Sequence, residues 1–156
     1  MEIPIYNLLL AVKDDIWLNR INKCSRFHVA IFKKPYLELI LNGTKTMESR
    51  FSKIKCDPYL RVGLGDIILM KKSGGDIIGL FTVEKALCYE LNPELLRRIK
   101  IDYGDSLCID ADFIKAKENS KYVTLIAIDE ILKINPIKFE KADRRAWIVF
   151  DRRRRA

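Results

Sequence analysis

The chain has a single histidine, His28, and four cysteines, Cys24, Cys56, Cys88 and Cys108, which are far apart and form no C-x-x-C pair. A structural zinc site draws on about four soft ligands at short spacing, so no metal centre is expected. Nothing else in the sequence asks for a cofactor. Neither Ser-His-Asp nor Cys-His chemistry has a spacing to support it. Long hydrophobic runs are missing too: the stretch from Leu8 to Val12 falls well short of the about 20 residues that cross a bilayer. Glu2 and the lack of an early Lys or Arg remove the basic flank of a secretory signal. The chain is therefore expected in the cytoplasm without a membrane partner, its thiols reduced and buried in apolar surroundings. Asn42-Gly43-Thr44 matches a glycosylation sequon that has no meaning there. Only seven glycines and five prolines, with no low-complexity stretch, exclude collagen-like and disordered chains.

What is present is ordinary for one globular domain. The 156 residues are 49% hydrophobic and 32% charged, enough for a single core that buries roughly two-thirds of the extended-chain surface. Charge is the first asymmetry. Lysine and arginine number 29 against 21 acidic residues, a formal +8. Lys141, Arg144, Arg145 and Arg152 to Arg155, set against Asp143 and Asp151, hold five of those eight excess charges. A polyanion is the expected partner, most simply nucleic acid, with the protein a monomer or weak homodimer.

Apolar spacing at Ile5, Leu9, Val12, Ile16 and Ile21 predicts one or two helices up to about Lys23, leaning on the main fold as an extension over 1–26. A compact domain over 27–150 follows, then a basic tail over 151–156. Phe27 to Phe32 reads as a strand. A short helix opens at Lys34-Pro35, with Leu37, Ile40 and Leu41 on its apolar face, and ends at Gly43. Thr44 to Arg50 is extended and polar. Asp66 to Lys72 and Ile77 to Lys85 read as a hairpin around Ser73-Gly74-Gly75-Asp76, the second strand alternating as though half-buried. Helices are predicted after Asn92-Pro93 and over Asp110 to Ala116, and strands over Tyr122 to Ile128 and Trp147 to Phe150, with a break at Pro136. Without a repeated βαβ unit, the expected class is α+β: a small mixed β-barrel of five or six strands with short helices packed outside.

The segments His28-Val-Ala-Ile-Phe, Lys34-Pro-Tyr, Ile40-Leu-Asn-Gly-Thr-Lys-Thr-Met-Glu-Ser-Arg50 and Val62-Gly-Leu-Gly-Asp66 resemble the ASCH (activating signal cointegrator homology) family, a branch of the PUA-like superfamily. Gly43, Lys45, Glu48 and Arg50 match its G-x-K-x-x-E-x-R pattern, and Gly65-Asp66 its G-D before a strand. The resemblance implies a PUA-like barrel, a cleft beside the motif and an association with RNA. Some similar members deacylate modified cytidine nucleosides with the motif lysine as catalyst, here Lys45; others are described as ribonucleases. Glu48 stands where the deacylating branch has threonine. That branch's downstream glutamate would be Glu90 or Glu94.

Lys45 can serve as a base only if burial or a neighbouring cation such as Arg50 lowers its pKa. On one straight strand Lys45 and Glu48 would face opposite ways, and they converge only if Gly43 to Thr46 still belongs to the turn. Glu48 and Arg50 share a face in either case. Arg50, Lys71, Lys72 and Ser73 would hold phosphate oxygens if the hairpin tip folds over the cleft. Tyr36, Tyr59, Tyr103, Tyr122 and Trp147 are candidates to stack on bases. Trp147 stands out among them, flanked by Arg144 and Arg145 and followed by Arg152 and Arg153, as on the edge of an RNA-binding face. His28, in an apolar strand, reads as a satisfied core histidine. Three functions are compatible with these residues: an RNA- or nucleotide-binding module, a metal-independent hydrolase with Lys45 as base and Glu48 as its partner, and an adaptor that docks through its N-terminal helices.

Overall fold

The computed structural model describes residues 5–141 and 144–152. Helices α1 (Ile5–Ala11) and α2 (Asp15–Lys23) precede strand β1 (Arg26–Phe32), and helix α3 (Tyr36–Leu41) precedes β2 (Met47–Ser52). Strands β3 (Ile67–Lys72) and β4 (Ile77–Glu90) form the expected hairpin. Then come α4 (Pro93–Leu107), α5 (Ala111–Ala116), β5 (Tyr122–Ile137) and β6 (Trp147–Asp151). Asparagine and aspartate start the helices as their short polar side chains allow: Asp14, Asn92 and Asp110 accept hydrogen bonds from the backbone N–H groups of Trp17, Leu95 and Phe113. Such caps satisfy donors that a helix cannot bond internally.

The strands form one sheet in the order β2-β5-β4-β3-β1-β6, antiparallel except for the β1–β3 pair. This is the small mixed α+β barrel predicted from the sequence, curled but open: β2 and β6 are the two ends of the sheet. The curl comes from the two longest strands. The β4–β5 register shifts between Ile77 and Gly79, between Phe81 and Val83, and between Val83 and Lys85, and each irregularity bends the ladder. Gly79 has to be small, because a Cβ there would meet Leu41 Cδ2 at 3.0 Å and the Leu132 carbonyl oxygen at 3.1 Å.

Strand alternation sorts the core. Phe27, Val29, Ile67 and Leu69 point to the face covered by α1 and α2, where Leu8, Val12, Trp17 and Ile21 are buried against them. The N-terminal helices pack on the sheet through core side chains. Ala30, Phe32, Ile68 and Met70 point to the concave face, which Leu37 and Ile40 of α3 fill. Ile99 and Leu107 of α4 pack on Met47, Val123 and Leu125. With both faces covered, Leu80, Phe81, Thr82 and Val83 are all buried, so β4 is not the half-buried strand its alternation suggested. Nor does Pro136 break β5, which runs on to pair Ile137 with Ile77. Its β2 neighbour ends at the Tyr122–Ala127 stretch, so the missing proline N–H falls where β5 has one free side.

The thiols depart from expectation. Cys24 alone is buried, Cys88 and Cys108 are intermediate, and Cys56 is exposed. His28 is the satisfied core histidine foreseen: Nδ1 accepts from Trp147 Nε1 at 2.8 Å, and Nε2 lies 2.8 Å from Asp66 Oδ2. An N–H on one side and a carboxylate on the other place the imidazole proton on Nε2. Among the described residues, no helix is long and apolar enough to cross a membrane.

Candidate functional site

The open seam of the barrel is where the motif converges. Helix α3 ends at Asn42, and Gly43 takes a left-handed φ of 82° that any other residue would strain to adopt. The Lys45 N–H then returns to the Leu39 carbonyl at 2.9 Å, so residues 43–46 belong to the turn and β2 begins at Met47. This meets the condition for convergence: Lys45 Nζ lies 3.7 Å from Glu48 Oε1. Two positions on, Arg50 Nη2 donates to Glu48 Oε2 at 3.2 Å, as their shared face requires. The carboxylate is thus held between two cations, and its Oε1 also accepts from the Ser49 N–H.

Arg50 spans the seam. Its Nη2 donates to the Ile31 carbonyl of β1 at 2.8 Å, and its guanidinium lies 4.9 Å from the Phe32 ring centre and 5.0 Å from that of Trp147 on β6. One side chain from β2 therefore ties together the edges that backbone pairing leaves apart. It also divides the seam into two clefts, both of which it lines.

The first cleft, about 380 Å³, has Tyr36, Phe51 and Phe113 as walls and Lys45, Glu48 and Arg50 as its polar floor. Lys45 is 1% exposed; its Nζ donates to the Leu107 carbonyl at 2.5 Å and sits 5.2 Å from the Tyr36 ring centre. Burial pulls its pKa below the ordinary lysine value, with Glu48 opposing that shift. Burial likewise pushes the Tyr36 hydroxyl up, so it remains a donor. Chemically, the cleft offers N–H and O–H donors and one carboxylate acceptor beneath flat aromatic surfaces. The second cleft, about 440 Å³, is bounded by Pro58, Tyr59 and Trp147, with Ser52, Thr124 and Arg145 as polar lining. Tyr59 packs on Tyr122 at 5.1 Å.

Other predicted site residues lie elsewhere. Lys71 has the parity of Ile67 and Leu69, and lines a separate hollow with Lys138 and Lys141. Lys72 is exposed and Ser73 donates its N–H to the Phe32 carbonyl; neither lines a seam cleft, so the hairpin tip does not fold over the motif. Trp147 is 4% exposed and its N–H is taken by His28. It is a core residue that shows one edge to the second cleft. Arg144 is exposed outside both clefts. Arg152 donates to the Ile21 and Asn22 carbonyls at 2.9 and 3.2 Å, closing the end of α2. Arg153, with Arg154 and Arg155, lies outside the described residues. Tyr103, on α4, packs against the cluster of Met47, Ile99 and Val123, and Glu90 and Glu94 are exposed away from the cleft.

The sequence profile of the ASCH domain matches residues 31–148. The chain belongs to the ASCH family. Among solved structures, this ASCH domain superposes on ASCH from Zymomonas mobilis with a TM-score of 0.57, at 17% identity over 71% of this chain and 72% of that one. A serine-to-alanine variant of the same protein gives 0.57 at 18% identity, with the same coverage. The N-terminal domain of Staphylothermus marinus McrB aligns over 72% of this chain and 76% of its own, at 18% identity and a TM-score of 0.45. Likeness to the Zymomonas structures at these identities is likeness of fold, a curled six-stranded half-barrel. No curated protein matches in sequence.

The sequence located the floor of the first cleft and one of its walls, Tyr36. Phe51 and Phe113, and the rim cations Lys33 and Lys117, were missed. Lys117 Nζ lies 5.2 Å from the Phe113 ring centre and 5.9 Å from that of Phe51. A Phe–Lys pair four apart near the end of the Asp110-capped helix was the one signal available, and such pairs are common on helices without a ligand.

Proposed function

We propose that this ASCH domain binds single-stranded RNA, with one nucleotide held in the first cleft. The observation that carries the reading is the cleft itself: aromatic walls from Tyr36, Phe51 and Phe113 over a Lys45–Glu48–Arg50 floor, at the seam of a barrel with a formal +8 charge. Bases stack on aromatic faces for about 1–3 kcal/mol each, donors and a carboxylate below read base edges, and Lys33 and Lys117 at the rim meet phosphates. The test is a titration with a mixed pool of labelled small RNAs at several salt concentrations, scoring retention and cleavage. Retention should fall steeply with salt. A Lys33→Ala/Lys117→Ala variant should bind more weakly, with a slope of log K against log salt shallower by about 1.4, since each lost contact to a single strand removes about 0.7. Retention that ignores salt, or an unchanged slope, refutes the phosphate contacts.

One observation favours a second reading, hydrolysis. Lys45 is buried and its pKa is lowered, the state in which a neutral amine can take a proton from water attacking an acyl carbon. A base of depressed pKa becomes active at lower pH than an ordinary lysine. Turnover of an N-acylcytidine should therefore rise with pH below the usual lysine range, and Lys45→Ala should abolish it while the thermal transition stays cooperative. No turnover of acylated nucleosides or of the RNA pool ends the hydrolase reading and leaves binding alone.

A further inference from the structure

We infer that the two seam clefts form one continuous groove that takes two successive nucleotides of a strand, with Arg50 gripping the phosphate between them. This rests on the proposed RNA binding and specifies its ligand: an oligonucleotide segment rather than a free nucleoside.

The inference comes from what the clefts share. Arg50, Phe51 and Ala146 line both, so the two clefts adjoin at these residues, and Arg50 is the cation at the junction. That side chain commits only Nη2, to the Ile31 carbonyl and Glu48. Its Nε and Nη1 make no hydrogen bond among the described residues, and neither is a buried orphan. Those N–H groups belong to a guanidinium already fixed against Phe32 and Trp147. Nε and Nη1 do not share an edge of the guanidinium, so each offers a single N–H donor, and one charge-assisted hydrogen bond from a fixed cation is enough to hold a phosphodiester oxygen. On either side lies room for a base: about 380 Å³ against Phe51 and Phe113, and about 440 Å³ against Tyr59 and the Trp147 edge. Lys55 Nζ, 5.7 Å from the ring centre of Tyr122, which packs on Tyr59, adds a cation near the second cleft. A nucleoside monophosphate would fill one cleft and leave the other to water.

Cys56 makes the second cleft observable in the unmodified protein. It lines that cleft alone and is exposed, whereas Cys24 is buried and burial pushes its thiol up. The experiment is alkylation by iodoacetamide, read at the Cys56 peptide by mass spectrometry, with no ligand, with an equimolar mixture of the four 5′-nucleotides, or with a random RNA pentamer. Binding of each ligand is measured in parallel by calorimetry. The pentamer is expected to slow Cys56 alkylation at least fivefold and to bind at least tenfold more tightly than the nucleotides, which should change the alkylation rate less than twofold. Tyr59→Ala should reduce pentamer affinity towards that of the nucleotides while leaving nucleotide binding intact. Because Tyr59 packs on Tyr122, Ser52→Ala serves as a milder second variant, with the same direction expected. If the pentamer binds in a Lys33- and Lys117-dependent way but leaves Cys56 reactive, or if the nucleotides protect Cys56 equally, the two-nucleotide groove is wrong and the single-cleft reading survives. If neither ligand binds, both fall together.

Discussion

A fragment that begins at Cys24 is expected to lose its cooperative unfolding transition, although the ASCH profile begins only at residue 31. Leu8 and Ile21 are wholly buried, and Val12 and Trp17 nearly so, in the same cluster as Phe27, Val29, Leu69 and Leu80. Burying each such side chain stabilises by about 1.5–3 kcal/mol, so the four together contribute roughly 6–12 kcal/mol to a domain whose whole stability is about 5–15 kcal/mol. Truncation also uncovers the strand face beneath them and takes from Arg152 its Ile21 and Asn22 acceptors. Circular dichroism melts and two-dimensional NMR of residues 24–156 check this: a sloping melt and collapsed dispersion are expected. A sharp transition within a few degrees of the intact chain would mean that the helices are a separable extension. The single substitution Ile21→Ala should cost about 2–5 kcal/mol, as large-to-small changes in a closed core do. An adaptor role for these helices is constrained by the same packing, since their apolar faces are already occupied; only side chains such as Tyr6, Leu10 and Ile16 remain exposed.

Local signals carried most of the fold. Alternation, caps and the Gly43 stop are decided by residues close in sequence, so β1, α3, α4, α5 and the β3–β4 hairpin were legible from spacing alone. The motif was legible to the same extent: the convergence of Lys45 and Glu48 depends on where a turn ends, and the left-handed Gly43 decides it. What spacing does not contain is which parity of a strand meets which neighbour. Lys71 lines a hollow with Gly75, Lys138 and Lys141 and neither of the clefts that Arg50 lines, a placement set by segments distant in the chain and written nowhere in residues 67–72. Trp147 is similar. Cations flank it in sequence, yet its ring turns inward to His28, and its value to the site is as the surface on which Arg50 rests. Phe113 reaches the cleft only because α5 packs against α3 and β2, where its ring lies 6.1 Å from that of Tyr36 and 5.9 Å from that of Phe51. Pro136 misled for a related reason: a missing N–H breaks a strand only where a partner needs it.

Replacing His28 by leucine should cost about 3–5 kcal/mol, more than the ring's apolar burial explains. His28 is fully buried between Trp147 Nε1 and Asp66 Oδ2, each 2.8 Å away, and Asp66 Oδ2 also accepts from the Gly63 N–H at 3.1 Å. Leucine has neither donor nor acceptor. It leaves a nearly buried carboxylate short of its closest donor and an indole N–H with nothing to meet, and each buried polar group so orphaned costs about 1–3 kcal/mol, more when it is charged. Trp147→Phe, which orphans only His28 Nδ1, should cost about 1–3 kcal/mol beyond its loss of area. In the double variant the orphans at the indole end vanish together, so its cost should be smaller than the sum of the single costs by about 0.5–3 kcal/mol. Urea unfolding at constant m-value measures all three. Strict additivity would show that the chain of hydrogen bonds contributes no coupling, and a His28→Leu cost under about 1 kcal/mol would show that water replaces it. RNA affinity provides the second axis. Phenylalanine still offers a ring to the Arg50 guanidinium, so Trp147→Phe should lose stability while keeping its affinity within about twofold, whereas Arg50→Ala should lose affinity about tenfold or more, as removing a charged hydrogen-bond donor does. If Trp147→Phe instead weakens RNA binding as strongly as Arg50→Ala, the Trp147 edge contributes more to the base contact in the second cleft than a phenyl ring can supply.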